Sequence, residues 1–375
     1  KLHGSIDPKE AEPPVMRDTA PELYPLVLSL HRLKKAWGGL GGKVGEVWSL
    51  AGPPHESLVL NGPLAGRRLT EIVGQYQQKL LGKDVELDPR EPFPMLLKFL
   101  STSENTGIQV HPRDAYTMEK GLPMVGVDKL WYVLNAKSGS RIYLGFREKV
   151  DGQKIRKAIV GRSLYPLLNE VPVRPGDLYT IPAGRVHAMG KGVLLFEVRH
   201  HSELNFKLID RAGSPGETAP GETSLSDALE VLDCSPTHPK PVRKATVLSE
   251  ENRIVSLSIT PRFSLRRLVV KNSLEIAFNG NRMVVYTGIK GSGSLKWGLS
   301  DITVNIQPYQ SVLVPAIGED LYFQSDEGLE IMETTLTDMA GETVNDLIRG
   351  GVSKDRIIGL GGEDYGEILK AYVVP

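Results

Sequence analysis

The sequence predicts a mostly β protein made of two β-barrel domains with a small helical subdomain, and three observations carry that reading. Short β-branched and aromatic runs recur between turn residues, as strands do. The 39 Gly and 26 Pro are more punctuation than helices tolerate. The third observation is an internal echo. VRPGDLYTIPAG at Val173–Gly184 reads in register with IQPYQSVLVPAI at Ile306–Ile317, matching Pro175 with Pro308, Pro182 with Pro315 and Ala183 with Ala316. Upstream, KSGSRIYLG at Lys137–Gly145 resembles KGSGSLKWG at Lys290–Gly298. Shared turn chemistry in two strand-rich blocks implies two barrels of one design, and 375 residues suffice for two domains with separate cores.

In chain order, residues 1–23 are polar and Pro-rich and read as an extended arm; with no apolar stretch they do not read as a signal peptide. The first domain is expected over 24–212. It opens with β-type pieces around the Gly-rich turns of Tyr24–Leu60. A helix follows at Leu69–Leu81, where Leu69, Ile72, Val73, Tyr76 and Leu80 recur at helical spacing. Strands are expected in PMLLKFLS, GIQVHP, LWYVLNA and RIYLGF, a second helix within Gly152–Leu168, and further strands to about Leu208. The Gly/Pro/Thr-rich segment 213–223 is the linker. The second domain, 224–375, begins with a short helix, SLSDALEVL, with Ser224 or Ser226 as its N-cap. Its strands occupy Val255 to about Thr335, and the last forty residues mix helical and loop signals that single out no element.

Composition excludes several functions. Lys+Arg and Asp+Glu are balanced at 45 each, without the basic excess of a nucleic-acid binder. The single cysteine, Cys234, excludes an internal disulfide framework or a thiolate zinc ribbon and fits a reducing compartment. No apolar run reaches the ~20 residues that span a bilayer. The expectation is a cytoplasmic protein with neither nucleic acid nor membrane as a partner.

One pattern carries chemistry: Gly176-x5-Pro182-x-Gly184-x2-His187. Gly and Pro force a turn that aims the following histidine into a barrel mouth, and Gln109-x-His111 places two more side chains on one strand face. Two imidazoles and an amide oxygen suit a divalent metal; two hydrogen-bonded structural histidines fit the same spacing.

These residues resemble the second motif of the cupin superfamily, and the wider sequence is similar to type I mannose-6-phosphate isomerases of the shorter bacterial branch. The matching segments are W-G-G at Trp37–Gly39, G-E-x-W at Gly45–Trp48, N-G-x3-G-x2-L-T-E at Asn61–Glu71, P-x-L-L-K at Pro94–Lys98 and Q-V-H-P at Gln109–Pro112. They continue through W-Y-x-L at Trp131–Leu134, P-G-D at Pro175–Asp177, I-P-A-G-x-V-H-A at Ile181–Ala188 and G-K-G at Gly190–Gly192. The resemblance implies two cupin-type jelly-roll domains, one Zn²⁺ held by Gln109, His111 and His187, and interconversion of mannose 6-phosphate and fructose 6-phosphate. The metal would act as Lewis acid on the sugar oxygens, with Lys98 and Lys207 meeting the anionic substrate. The general base is not named, with a metal-bound water, Lys98 and Glu197 all open. Substrate is the expected partner; oligomeric state is not readable.

Two positions depart from the family pattern. The family's fourth ligand, a Glu two residues before W-Y, is here Lys129. Three readings follow: a metal held by the remaining ligands with water or another carboxylate such as Glu197 (Asp128 is one residue off and points away); a Lys129 ammonium in place of the metal; or a scaffold that binds sugar phosphate without turning it over. The second departure is S-E-L-N-F-K at Ser202–Lys207, where Lys207 stands for the usual Arg and forgoes its bidentate fork. GLGG at Gly39–Gly42 and Gly359–Gly362 reads as turns. His200 and His201 are expected on a strand with rings on opposite faces, and Asp320 is the expected counterpart of His187 in a metal-free second barrel.

Overall fold

The computed structural model describes residues 23–35, 44–209, 225–249, 251–298, 302–339 and 342–373. The expected arm as far as residue 22, the linker, the W-G-G motif, Ser224 and the GLGG at 39–42 lie outside them. The chain is mostly β. Its N-terminal lobe has a six-stranded sheet ordered β2(His31–Lys35)–β3(Val44–Leu50)–β4(Leu96–Thr102)–β11(Val193–Arg199)–β6(Lys129–Ala136)–β9(Leu178–Ile181). A five-stranded sheet accompanies it, ordered β12(Phe206–Ile209)–β5(Ile108–Val110)–β10(His187–Met189)–β7(Arg141–Phe146)–β8(Leu168–Pro172).

The C-terminal lobe repeats both orders. Its larger sheet runs β1(Leu26–Val27)–β20(Ser311–Val314)–β17(Val284–Gly291)–β22(Leu329–Leu336)–β15(Phe263–Val270)–β14(Asn252–Ile259)–β13(Ala245–Ser249). Its smaller sheet runs β16(Ser273–Ile276)–β21(Leu321–Gln324)–β18(Gly293–Trp297)–β19(Thr303–Ile306). Strand β1 comes from the start of the described chain yet pairs with β20, Leu26 opposite Leu313. An apolar cluster joins the lobes, from Leu26, Phe93 and Phe99 to Leu265, Tyr286 and Phe323.

The echo in the sequence is an echo in the backbone. The matched segments form β9 and β20, each preceded at the same place by a left-handed residue: Gly176 at φ 91° and Tyr309 at φ 73°. Gly145 and Gly298, aligned at the ends of the upstream segments, are also left-handed at φ 66° and 57°. At Gly145 a Cβ would overlap Thr237 Oγ1, so glycine is required for space as well as for φ.

Helices fill the connections. The stretch expected as one helix is two, α1(Leu69–Tyr76) and α2(Gln78–Leu81), broken at Gln77, whose φ is 43°. Helix α3(Asp114–Glu119) follows β5. Within Gly152–Leu168 the helix α4(Gly152–Val160) buries Ile155, Ala158 and Ile159 and gives way to a 3₁₀ turn at Tyr165–Leu167. Asp151 caps α4 by accepting a 2.7 Å bond from the Lys154 amide. Helix α5(Leu225–Val231) is the expected short one. The unassigned tail folds as α6(Glu342–Arg349), α7(Lys354–Gly359) and α8(Gly362–Val373). Helix α8 returns to the N-terminal lobe, where Asp364 Oδ1 accepts from Arg185 Nη2 at 3.0 Å.

Candidate active site

The turn Pro182–Gly184 does what its composition implies. Gly184 is left-handed at φ 86°, and its N–H donates 2.7 Å to the carbonyl of His111, tying the approach to β10 to the end of β5. His187 then lies opposite Gln109 in register. Gln109, His111, Lys129 and His187 converge, and Lys98 joins them through Glu197.

Both imidazoles have fixed tautomers. His187 Nδ1 faces the Arg185 carbonyl at 2.8 Å and His111 Nδ1 faces the Leu204 carbonyl at 2.6 Å. A ring nitrogen facing a carbonyl carries the proton, so each Nε2 presents a lone pair. The rings stack with centroids 5.4 Å apart. His111 Nε2 is buried without a hydrogen-bond partner. His187 Nε2 receives two N–H donors, Gln109 Nε2 at 3.1 Å and Lys129 Nζ at 3.2 Å. The Gln109 oxygen is turned away, accepting from Asn205 Nδ2 at 2.7 Å.

Behind this group lies a charge cluster. The Lys129 side chain is 1% exposed and sits 3.6 Å from Glu197 Oε2. Lys98 Nζ lies 3.4 Å from Glu197 Oε1 and 2.9 Å from Glu46 Oε1. Trp131 Nε1 donates to Glu197 at 2.5 Å, and Arg199 Nη1 approaches it at 4.0 Å. Burial pushes both imidazoles well below their ordinary range, and the Lys129 charge adds to that. It pushes the Lys129 amine down too, against the pull of Glu197. Burial alone would raise Glu197, but Lys129, Lys98 and Arg199 outweigh it and hold the carboxylate ionised.

The remaining expected residues resolve simply. Lys207 lies opposite Gln109 on β12 and is exposed, a cation at the rim. Asp128 is outside the cluster and caps the turn, accepting from the Ala183 amide at 2.7 Å. Glu197 is an ion-pair partner. The expectation for His200 and His201 is corrected: both follow the end of β11, are buried, and pack against Phe263 and Gly52 respectively. Sequence reasoning did not single out Arg199, Glu46 or Asn205. Arg199 had a usable signal, since it lies two residues beyond Glu197 on one strand and so shares its face.

Register also corrects the expected counterpart of His187. His187 pairs with Leu144; the aligned residue Trp297 pairs with Leu321, so Leu321, not Asp320, is the equivalent, because the turn before it is one residue longer. By the same reading Gln109 corresponds to Ile276 and Lys129 to Val284. Lys98, Glu197 and Trp131 correspond to Arg266, Glu333 and Tyr286. The cation–carboxylate–aromatic triad is kept: Arg266 is bidentate on Glu333 and Tyr286 donates to it at 3.2 Å. A cavity of about 160 Å³ lined by Arg266, Ile276, Val284, Tyr286 and Glu333 occupies this place in the C-terminal lobe. Its lining includes no imidazole.

The implied metal can now be tested against the residues. Among the described residues, no group of three or more His, Cys, Asp or Glu could hold an ion. The amine at the fourth position hydrogen-bonds one of the two imidazole lone pairs. With its amine protonated beside Glu197, Lys129 together with Lys98 and Arg199 outnumbers the carboxylates Glu46 and Glu197 by one charge, and a divalent ion would add two more in a buried place. The residues present do not fit a divalent metal.

A mostly β chain with two lobes of one strand order, and buried imidazoles in only one of them among the described residues, defines the class: a two-lobed β repeat with its candidate site in the N-terminal lobe. Comparison with known proteins makes this particular. Residues 34–126 match the model for the catalytic domain of type I phosphomannose isomerase. A mannose-6-phosphate isomerase of Streptococcus mutans is 26% identical over 288 residues, 73% of this chain and 88% of the relative. The mannose 6-phosphate isomerase of Bacillus subtilis superposes with a TM-score of 0.71 at 25% identity, over 83% of this chain and 99% of that one. A zinc-bound mannose 6-phosphate isomerase shares the fold, with a TM-score of 0.60 at 16% identity over 83% of this chain and 99% of that one. The chain is mannose-6-phosphate isomerase-like and resembles the type I phosphomannose isomerases.

Proposed function

We propose that this chain is an aldose–ketose isomerase acting on a sugar phosphate, mannose 6-phosphate and fructose 6-phosphate being the pair that its relatives' names suggest, and that each lobe is a cupin-type jelly roll. The observation that carries it is the convergence of Gln109, His111, Lys129 and His187 in one lobe only, on a scaffold that the other lobe retains. The reaction needs a group to lift the C2 proton, a donor to the oxygen that gains charge, and return of the proton at C1. His111 Nε2, buried with an open lone pair, is the acceptor best placed for the proton. The Lys129 and Gln109 N–H groups are the donors for the oxygen. Lys98 and Arg199 hold Glu197 ionised, and Lys207 at the rim meets the phosphate as a point charge.

The test is incubation of the purified chain with mannose 6-phosphate in D₂O, followed by proton NMR. Deuterium entering at C2 of recovered mannose 6-phosphate or at C1 of fructose 6-phosphate supports isomerisation. Complete absence of exchange and of fructose 6-phosphate defeats it and leaves sugar-phosphate binding without turnover, the reading that Lys129 at a ligand position favours.

A further inference from the structure

The substitution at position 129 has a charge arithmetic that the geometry makes specific. With glutamate at 129, the buried cluster would hold three carboxylates, Glu46, Glu197 and residue 129, against Lys98 and Arg199. A divalent ion would then bring it to one net positive charge. With Lys129 protonated by its pairing to Glu197 it reaches one net positive charge unaided, because exchanging a carboxylate for an ammonium changes the charge by two. The Lys129 amine is also where such a cation would be useful: it is 3.2 Å from His187 Nε2 and paired at 3.6 Å with Glu197, a carboxylate the fold already supplies. Gln109 presents its amide nitrogen to the same lone pair and keeps its oxygen on Asn205. An N–H donor from each side is the arrangement expected around an imidazole that ligates nothing.

We infer that the Lys129 ammonium is the built-in cation of this site, taking over the charge that a divalent ion would supply, so that the chain works without a metal cofactor. This takes from the proposed isomerase reading only the location of the site, and its primary test reads metal rather than activity. The chain and two variants, Lys129→Glu and Lys129→Met, are produced with zinc, dialysed, and assayed for metal per chain. Thermal unfolding is then followed with and without added Zn²⁺ or Co²⁺. The native chain is expected to carry no stoichiometric metal and to show no metal-dependent shift in Tm. Lys129→Glu completes a four-ligand set and is expected to take up about one equivalent and to gain Tm with metal, as a ligand bound only by the folded state must produce. Lys129→Met removes the ammonium without supplying a ligand and is expected to take up none.

One equivalent of zinc on the native chain overturns the inference, and that count stands even if a variant fails to fold. A folded Lys129→Glu that takes up no metal overturns it as well. Turnover is read separately. If the native chain isomerises substrate, it is expected to keep its rate in chelator, and a ten-fold or greater loss restored by zinc overturns the inference. If no form of the chain turns over any aldose phosphate, the isomerase reading falls while the metal count still decides the role of Lys129.

Discussion

Lys129 and Val284 occupy the same position in two copies of one strand pairing, opposite Ile181 and Val314 respectively. Side-chain chemistry, not backbone, separates the two lobes at this position. Burial likewise gives the N-terminal lobe a pH dependence. His200 and His201 are lowered to about 4 by burial, and the site imidazoles move the same way. A depressed folded value means that the unfolded chain, titrating near 6.5, takes up protons first. The stability these groups contribute is therefore full above about 6.5 and is lost as pH falls toward 4. Glu91, raised by burial to about 7, opposes them: its contribution is full below about 4.5 and lost as pH rises toward 7. Several imidazoles outweigh one carboxyl. The urea midpoint should fall between about pH 7.5 and pH 5, and an unchanged or rising midpoint contradicts this account.

Among the elements, those whose local chemistry is unambiguous are the ones the sequence makes legible. The α4 cap is written into Asp151 three residues ahead of Lys154, and Asp151→Ala should cost about 1 kcal/mol in chemical denaturation; a loss under a few tenths would show that the cap is idle. The strands around the site follow from β-branched and aromatic runs. Helix periodicity over Leu69–Leu81 was real, but it does not report the left-handed Gln77 that splits α1 from α2. The tail gives weak signals because glycines interrupt it at 350–351, 359, 361–362 and 366, and α8 is held by distant partners such as Arg185. The strand expected to carry His200 and His201 stops short of them, because β11 ends at Arg199 and tertiary packing buries both as structural histidines.

For the molecule as a whole, the repeat was legible because its turns carry proline and left-handed positions, whereas the kept triad was not. Lys98, Glu197 and Trp131 share no residue type with Arg266, Glu333 and Tyr286 except the carboxylate, and only strand register aligns them. The candidate ligands were legible from Q-x-H and the Gly/Pro turn, but their hydrogen-bond roles required the fold. The repeat has a practical consequence: the chain carries its own reference state. Glu333→Gln weakens the triad where no lysine stands at the position of Lys129, while Glu197→Gln does so and also removes the counter-ion of Lys129. By urea unfolding, Glu197→Gln should destabilise by roughly 3–5 kcal/mol as a broken buried pair, and Glu333→Gln by less, because the Arg266 side chain is 36% exposed and solvent screens its pair. A double-mutant cycle with Lys129→Met should show coupling of at least 0.5 kcal/mol for Glu197→Gln and additivity for Glu333→Gln. Equal coupling at both glutamates would mean that Glu197 does nothing for Lys129. One fold thus supplies both the experiment and its control.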